Sequence, residues 1–405
     1  MLDRVLARLY ARIPLGMRLG LEPMRQACAR FGHPEGAFEA VHVAGTNGKG
    51  SVCAMVESIA RSAGRRTGMF TSPHLCRFAE RIQIGGEPID DAALAVTLER
   101  ALDGAPELSF FETATLAALL AFRDAKIDLG VVEVGIGGRL DATNVLPRPR
   151  AAAITRVALD HTDRLGPTLV DIAREKAGIA KPGLDLLLGP MTADVRAAID
   201  EVARSHGATT TSATERPAPV TRIGLEGDFQ RDNARIAAEL GARIGAPPQA
   251  IERGLAGVRW PGRLERIETA FGGVPTRRFL LDAAHNPDGA EALARHLRSL
   301  GIAPADVALV FGTLGDKDWP AMLDVLAPVA ARRVYVAPQG GSRPAVDPSR
   351  LADRHPGLTA PGVAAALERA SAGDSSLVVV AGSLVLVGEA RALLLGLPRD
   401  PPVAL

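Results

Sequence analysis

Short apolar runs recur along the whole chain, and each is followed by a glycine-containing turn and a stretch with helical periodicity. In the first part of the chain the runs occupy residues 41–44, 67–70, 127–134, 151–157 and 184–189. After Trp260 the pattern starts again, with runs at 278–284, 307–312, 333–338 and 377–382. Continuous apolar strands that alternate with helices are typical of a parallel sheet covered on both faces. The sequence therefore predicts an α/β protein built from two such units.

The length of 405 residues also favours two domains, because a single hydrophobic core rarely grows beyond about 250 to 300 residues. Between the two sets of runs lies a region of less regular pattern, residues 205–265. Its Thr, Ser and Pro residues are typical of a surface loop, and the pair Pro261 and Gly262 is typical of a hinge. We predict one domain over residues 1–261 and a second over residues 262–405.

Charge and cysteine content exclude several classes of protein. Since 47 Lys and Arg balance 46 Asp and Glu, no net field draws the chain to nucleic acid or to an anionic membrane. Cys28, Cys53 and Cys76 form no C-x-x-C pair, which argues against a disulfide framework or a structural zinc site. Residues 1–20 predict a short amphipathic helix rather than a secretion signal, and the longest apolar run, 377–388, is too short to span a bilayer. We expect a cytoplasmic protein.

The stretch VHVAGTNGKGSVCAMVESIA, residues 41–60, predicts a phosphate-binding turn. An apolar strand ends, three glycines follow within six residues, and a helix is expected to begin around Ser51. Inward-facing backbone amides and the positive helix terminus would hold phosphate, Lys49 would reach the β- and γ-phosphates, and the Ser51 hydroxyl would ligate magnesium. The spacing differs from the usual P-loop, because Gly50 separates the lysine from the hydroxyl. The alternative is a plain glycine-rich turn between strand and helix.

Two further segments offer the groups that a nucleotide site needs. Glu133 lies inside an apolar strand, where an unpaired charge is costly, so a metal ion or a cationic partner is expected. Further along, residues 160–163 form a polar cluster after another strand, in the place where α/β proteins bind ligands. His161 could therefore ligate a metal. Taken alone, these residues leave open a structural salt bridge at Glu133, a hydrogen-bonded loop histidine at His161 and a solvated helix lysine at Lys176.

Taken in chain order, the segments resemble the folylpolyglutamate synthase and dihydrofolate synthase family, a branch of the Mur ligase superfamily. The matching segments are 13–24, 45–51, 71–75, 110–115, 133–144, 160–179, 262–265, 282–290, 311–318 and 381–389. The modified P-loop is the form that this superfamily carries. The segments EVGIGGRLDATN, DHTDRLG and REKAGI are specific to the folate branch.

The resemblance implies an N-terminal P-loop NTPase-like parallel-sheet domain and a smaller C-terminal Rossmann-like α/β domain. It also implies an ATP-dependent ligase that adds L-glutamate to a folate-type carboxylate, either dihydropteroate or a tetrahydrofolate polyglutamate. ATP first converts the carboxylate into an acyl phosphate, which the glutamate amine then attacks. Two domains that close over the reaction would protect the acyl phosphate from water. We expect a monomer with both dihydrofolate synthase and folylpolyglutamate synthase activities.

The resemblance also assigns residues to roles. It implies nucleotide contacts at the turn and at four later positions, namely Gly45, Thr46, Asn47, Gly48, Lys49, Gly50, Ser51, Asn233, Arg263, Asp282 and His285. It implies one magnesium ion at Ser51 and Glu133, and a second that His161 helps to hold. Lys49, His161 and Lys176 are the catalytic candidates, and Lys176 matches a lysine that is carbamylated in the family. The acceptor segments are represented by Ser72, Pro73, His74, Phe110 and Phe111.

Three observations keep alternatives open. Paired phenylalanines such as Phe110 and Phe111 are more often core residues than ligand contacts. Asp228 and Phe229 stand where the family often has a histidine before Gln230. The same metal and phosphate chemistry would also serve another amide ligase of the superfamily, or a nucleotide-dependent switch that ligates nothing. A switch, however, leaves the second domain and the 161–176 segment without a purpose.

Overall fold

The computed structural model describes residues 1–13, 20–215, 222–339 and 343–400, without the side chains of residues 274 and 275. The chain forms two compact units that are not continuous in sequence. Unit 1 comprises Met1–Ser72, Ala79–Gly224 and Phe229–Arg259, and unit 2 comprises Pro73–Phe78, Leu225–Asp228 and Trp260–Leu405. Residues 14–19 of the matching segment 13–24 and residues 216–221 of the Thr, Ser and Pro-rich stretch lie outside the described residues.

The sheet of unit 1 is mainly parallel. Its strands are β1 (Glu39–Ala44), β2 (Thr67–Phe70), β3 (Ile82–Ile84), β4 (Glu87–Pro88), β5 (Leu129–Glu133), β6 (Ala151–Ile154), β7 (Asp185–Leu188) and β8 (Thr209–Ser212). They follow the order β4-β3-β2-β5-β1-β6-β7-β8, in which only the pairs formed by β3 are antiparallel. Strands β2, β5 and β6 are buried along their whole length, because helices cover both faces of such a sheet. The five apolar runs of the first part of the chain are confirmed as β1, β2, β5, β6 and β7.

Ten helices pack around this sheet in the described part of unit 1. They are α1 (Leu2–Tyr10), α2 (Glu22–Arg30), α3 (Lys49–Ser62), α4 (Asp91–Gly104), α5 (Phe110–Asp124), α6 (Thr162–Leu165), α7 (Leu169–Ala177), α8 (Ala193–Ser205), α9 (Phe229–Arg243) and α10 (Pro248–Gly257). The predicted amphipathic helix is confirmed as α1, which buries Val5, Leu6 and Leu9.

The expectation of irregular structure over residues 205–265 is wrong for most of that region. Strand β8 and helices α9 and α10 occupy it. Helix α9 carries a charged or polar residue at most positions of its first two turns, so its apolar face is narrow in the sequence. Tertiary packing stabilises both helices, and the Ser58 hydroxyl of α3 donates a hydrogen bond of 2.8 Å to the Gly254 carbonyl of α10.

Unit 2 is a second α/β layer structure. Its strands are β9 (Glu265–Phe271), β10 (Val274–Asp282), β11 (Val307–Phe311), β12 (Arg332–Val336), β13 (Leu358–Ala360) and β14 (Leu377–Ala381). They follow the order β13-β12-β11-β14-β10-β9, with only β9 antiparallel to its neighbour. The helices are α11 (Pro287–Ser299), α12 (Trp319–Leu326), α13 (Pro348–Arg354), α14 (Val363–Ser371) and α15 (Leu384–Leu395). The α/β class with two parallel-rich sheets is thus confirmed. Across the described ranges, no helix combines the length and apolarity that a bilayer crossing requires.

Candidate active site

Three predicted site residues of unit 1, together with Thr155, lie at the carboxyl ends of four adjacent strands. Ser72 follows β2, Glu133 ends β5, Gly45 follows β1 and Thr155 follows β6. The parallel register places Val43 beside Glu133 and Ala44 beside Ile154, so these strand ends lie at one edge of the sheet. Strand β1 is central, and its two neighbours come from later in the chain. Such a point in the strand order is where open α/β sheets bind ligands.

The turn after β1 requires two glycines for steric reasons. At Gly45, where φ is +145°, a Cβ atom would lie only 1.9 Å from Thr155 Oγ1. At Gly48, where φ is +92°, a Cβ atom would lie 2.5 Å from Asn233 Oδ1. The Thr155 hydroxyl also donates a hydrogen bond of 2.7 Å to the carbonyl of Asn47. The turn is therefore held between the end of β6 and helix α9.

Helix α3 begins at Lys49, two residues earlier than the sequence suggested. Its first turn contains no acidic residue, so the positive end of the helix is available to an anion. The Lys49 ammonium donates to the Thr46 carbonyl at 3.1 Å and lies 4.0 Å from Glu133 Oε1. A cation, the N-terminus of a helix and a glycine turn at one strand end are the groups from which phosphate-binding sites are commonly built.

Glu133 is buried beside this turn, with 5 % of its surface exposed. Its Oε2 accepts a hydrogen bond of 2.9 Å from the backbone amide of Ser72. With Lys49 nearby, the salt bridge considered from the sequence is present. The same carboxylate also presents an oxygen to the phosphate turn, which is the kind of ligand that magnesium takes.

Lys176, in the last turn of α7, is 3 % exposed and donates a hydrogen bond of 2.9 Å to the carbonyl of Gly45. It is therefore not a solvated helix lysine. Burial, together with a smaller contribution from the positive charge of Lys49, lowers the pKa of its amine to about 7, whereas Asp160 and Asp141 oppose the shift. The amine is divided between its charged and uncharged forms near neutral pH.

His161 occupies an unusual backbone position at the start of α6. Its φ of +52° and ψ of +38° are left-handed, and its amide donates to Asp160 Oδ1 at 2.9 Å. Its Nε2 lies 3.9 Å from the same oxygen, and 22 % of its side chain is exposed. In the residues that the structure describes, no three His, Cys, Asp or Glu side chains cluster as a metal centre. A magnesium ion here would take its other ligands from hydroxyl, phosphate and water oxygens, as this ion commonly does.

Sequence reasoning missed a buried polar chain behind this site. His42 Nε2 lies 2.8 Å from Thr143 Oγ1, and that hydroxyl donates to Asp141 Oδ1 at 2.6 Å. Since the hydroxyl proton points to Asp141, His42 must donate through Nε2, and burial lowers the pKa of His42 to about 3. Asp141 Oδ2 accepts from the Ile136 amide at 2.9 Å, which fixes the glycine-rich loop after β5. The sequence signal that could have indicated this chain of hydrogen bonds was His42, a histidine inside an apolar strand.

Gln230 was also missed, although it directly follows Asp228 and Phe229, where the sequence departs from the family pattern. It is fully buried on α9 and donates through Nε2 to the Ser51 hydroxyl at 3.3 Å. Its Oε1 accepts from Asn233 Nδ2 at 2.8 Å. Asn233 and Ser51, which the sequence singled out separately, are thus connected through one amide.

The predicted residues of unit 2 lie at the end of β10. Asp282 is buried and accepts hydrogen bonds of 3.0 Å from the amides of Leu264 and Ala284. Burial raises the pKa of its carboxyl, while the charge of Arg263 acts in the opposite direction. His285 donates through Nδ1 to the Ala283 carbonyl at 2.9 Å.

The predicted acceptor residues differ in their surroundings. Phe110 is buried, stacks on Tyr10 at 6.0 Å between ring centroids and lies under the Arg81 guanidinium. Phe111 is half-buried and tilts against Phe70 at 5.9 Å. Both rings therefore contribute to packing within unit 1. Ser72 ends the first segment of unit 1, whereas the exposed Pro73 and the half-buried His74 belong to unit 2.

Comparison with known proteins identifies the class. The sequence matches the Mur ligase middle domain over residues 43–185 and the Mur ligase, glutamate ligase domain, over residues 262–384. The first match contains the phosphate turn, Glu133, His161 and Lys176, and the second contains Arg263, Asp282 and His285. The architecture is that of a Mur ligase.

Individual relatives narrow the class further. The dihydrofolate synthase/folylpolyglutamate synthase of Escherichia coli is 33% identical over 92% of this chain and 90% of its own length. The structure described as E. coli FolC in complex with DHPP and ADP has a TM-score of 0.84 at 31% identity, covering 94% of each chain. The chain belongs to the folylpolyglutamate synthase/dihydrofolate synthase family.

A longer relative also matches. A probable bifunctional folylpolyglutamate synthase/dihydropteroate synthase of Haloferax volcanii is 36% identical over 92% of this chain. The chain spans about half the length of that archaeal protein, 48%.

Proposed function

We propose that the chain is an ATP-dependent ligase that joins L-glutamate to a folate-type carboxylate, with both dihydrofolate synthase and folylpolyglutamate synthase activities. The observation that carries the proposal is the convergence of Lys49, Glu133 and the buried Lys176 on the turn at Gly45. Membership of the family and the DHPP and ADP bound to the E. coli protein support the choice of substrates.

In the proposed reaction an oxygen of the acceptor carboxylate attacks the γ-phosphorus of ATP, and the bond to the bridging oxygen of ADP breaks. The amine of glutamate then attacks the acyl carbon, phosphate leaves and a proton is lost. Phosphoryl transfer of this kind depends on positioning and on neutralisation of charge. Lys49 and the first amides of α3 neutralise the phosphates, and the glycine turn fixes their position.

The residues present fit magnesium, because a hydroxyl and a buried carboxylate lie beside the phosphate turn. Ser51 and Glu133 would hold a first ion, and His161 would help to hold a second. Bound magnesium supplies neutralisation of the phosphate oxygens. Gln230 helps to orient Ser51 for this role, since it donates to one lone pair of the hydroxyl oxygen and leaves the second lone pair for the ion.

Lys176 suits carbamylation by its environment. Only the uncharged amine reacts with carbon dioxide, and burial lowers the pKa of this amine to about 7. A new N–C bond forms and a proton is released, which changes a buried cation into an anion beside the phosphate turn. The remaining residues are assigned to the two larger substrates. Asn233, Arg263, Asp282 and His285 are assigned to the nucleotide. Ser72, Pro73, His74, Phe110 and Phe111 are assigned to the acceptor.

Incorporation of labelled glutamate tests the proposal most directly. The purified protein is supplied with ATP and magnesium, and with dihydropteroate, tetrahydrofolate or a muramoyl substrate as acceptor. We expect product with the first two acceptors and none with the third. Dependence on the muramoyl compound would support a different amide ligase, and ATP hydrolysis that ignores both acceptor and glutamate would support a switch. Product with only one folate acceptor would correct the assignment of two activities.

A further inference from the structure

Segment Pro73–Phe78 belongs to unit 2, although it lies in sequence between β2 and β3 of unit 1. It contains Pro73 and His74, which the proposed function assigns to the acceptor. Residues 73–77 have no regular secondary structure, and Phe78 begins a single 3-10 turn, Phe78–Arg81, so the conformation of the segment depends on what holds its main chain.

Asp400 holds that main chain at two points. Its backbone amide donates a hydrogen bond of 2.9 Å to the carbonyl of Cys76. Its Oδ2 accepts one of 2.7 Å from the backbone amide of Phe78. Arg77 Nε lies 3.8 Å from the other carboxylate oxygen, so a cation stands beside the same group. The 2.7 Å bond from the Phe78 amide to the Asp400 carboxylate is charge-assisted, and such bonds are among the stronger hydrogen bonds in proteins.

Helix α15 holds the segment from another side. At Gly388 a Cβ atom would lie 2.0 Å from the carbonyl oxygen of Leu75, so the segment passes directly against the helix backbone. The Cys76 thiol lies 3.4 Å from the Gly388 carbonyl, to which it donates. The salt bridge of 3.1 Å between Arg399 and Glu389 fastens the residue next to Asp400 to the same helix.

These contacts determine the surroundings of His74. Its ring lies 5.8 Å from the ring of Phe78, the residue whose amide Asp400 binds. A small cleft is lined by Pro73, His74 and Leu75 and by Leu384, Arg399 and Asp400. The carboxylate that fixes the main chain thus also borders the space beside the histidine.

We propose that Asp400 is a positioning residue for the acceptor, which acts by fixing Pro73–Phe78 and hence the orientation of His74. This inference rests on the proposed function, because it needs His74 to face a bound acceptor. Asp400 itself does not touch the reacting atoms. Its loss would weaken acceptor binding while ATP binding and the phosphate turn of unit 1 remain intact.

The test compares Asp400→Ala and Asp400→Asn with Asp353→Ala, an exposed aspartate on α13. Hydrogen–deuterium exchange of residues 74–78 is measured together with the KM for dihydropteroate and for ATP. For Asp400→Ala we expect faster exchange confined to that segment and an acceptor KM raised about tenfold, the worth of one hydrogen bond to a charged group. The KM for ATP should be unchanged. Asp400→Asn should show a smaller effect, because its amide oxygen still accepts, and Asp353→Ala should show none.

Three results would overturn the inference: unchanged exchange in Asp400→Ala, faster exchange with an unchanged acceptor KM, or equal increases in the KM of both substrates. Failure of the unsubstituted protein to ligate glutamate defeats the proposed function instead. In that case the exchange comparison still decides whether Asp400 fixes the segment.

Discussion

At the scale of single residues, Lys176 is a buried amine in contact with the phosphate turn. Because burial lowers its pKa to about 7, the fraction of uncharged amine rises as the pH rises through that value. At a constant concentration of dissolved carbon dioxide, we expect the carbamate fraction to rise in the same direction. A carbamate signal from ¹³C-labelled carbon dioxide in NMR spectra should therefore grow between about pH 6 and pH 8.

Lys176→Ala should remove that signal and most of the ligase activity. Added formate or acetate should restore part of the activity, because a short carboxylate can replace the missing anion. Full activity of Lys176→Ala without any addition would contradict the carbamate hypothesis.

Lys49→Ala tests the phosphate turn. The substitution removes the cation at the start of α3, 4.0 Å from Glu133 Oε1, so ATP-dependent ligation should fall by about 1,000-fold or more, the effect of losing a principal charge in phosphoryl transfer. Circular dichroism should show an unchanged fold. Lys126→Gln, at an exposed position, is the control, and normal turnover of Lys49→Ala would refute the assigned role.

Gly48→Ala separates steric fit from backbone strain. Its φ is +92° and its Cβ would lie 2.5 Å from Asn233 Oδ1, whereas Gly64, at φ +84°, has open space around the same position. Both substitutions introduce backbone strain of roughly 1 kcal/mol. Only Gly48→Ala should also weaken nucleotide binding, because it pushes the turn away from α9. Equal loss of ADP affinity in both variants, measured by calorimetry, would show that the contact with Asn233 is unimportant.

At the scale of elements, the loop between β5 and β6 depends on Asp141. Thr143→Val keeps the shape of the side chain but removes the hydroxyl that joins His42 to Asp141 at 2.8 and 2.6 Å. A buried donor and a buried acceptor then lose a partner, so the free energy of unfolding should fall by roughly 2 to 3 kcal/mol. Thr209→Val is the matched control, since that hydroxyl meets Asp185 at an exposed position. Similar urea midpoints for both variants would contradict this role.

The sequence predicted the central strands of both sheets better than it predicted the edge strands or helix α9. Strands β6 and β14 are buried along their whole length, so their apolar character is continuous and visible in the sequence. Strands β3, β4 and β13 have two or three residues each and lie towards the edges of their sheets, where little burial marks them. Helix α9 escaped notice because its first turns are polar, and two of those polar residues, Gln230 and Asn233, lie against the phosphate turn.

The candidate site shows the same limit. The glycine turn, Lys49 and Glu133 stand out because each breaks an apolar pattern in the sequence. The connection from Asn233 through Gln230 to Ser51 crosses 179 positions between its last two members. Local patterns carry no information about such a contact, and only the packing of α9 against the turn creates it.

At the scale of the whole molecule, unit 2 includes two short segments from outside its main stretch of chain. A fragment of residues 260–405 lacks both Pro73–Phe78 and Leu225–Asp228. It therefore exposes the backbone of α15 at Gly388 and removes Glu226, which pairs with Arg266 at 2.7 Å. We expect this fragment to unfold at a lower temperature than unit 2 in the complete chain, with a broader transition in circular dichroism. A sharp transition at the same temperature would show that the two segments contribute nothing to stability.

The bond between Phe78 and Asp400 has a consequence for synthesis on the ribosome. Its partners are 322 positions apart, and translation at about 5 to 20 residues per second separates their emergence by roughly 15 to 65 seconds. During that interval the nascent segment 73–78 has already left the exit tunnel without the residues that later enclose it. Molecular chaperones that recognise exposed chain would have their longest opportunity there.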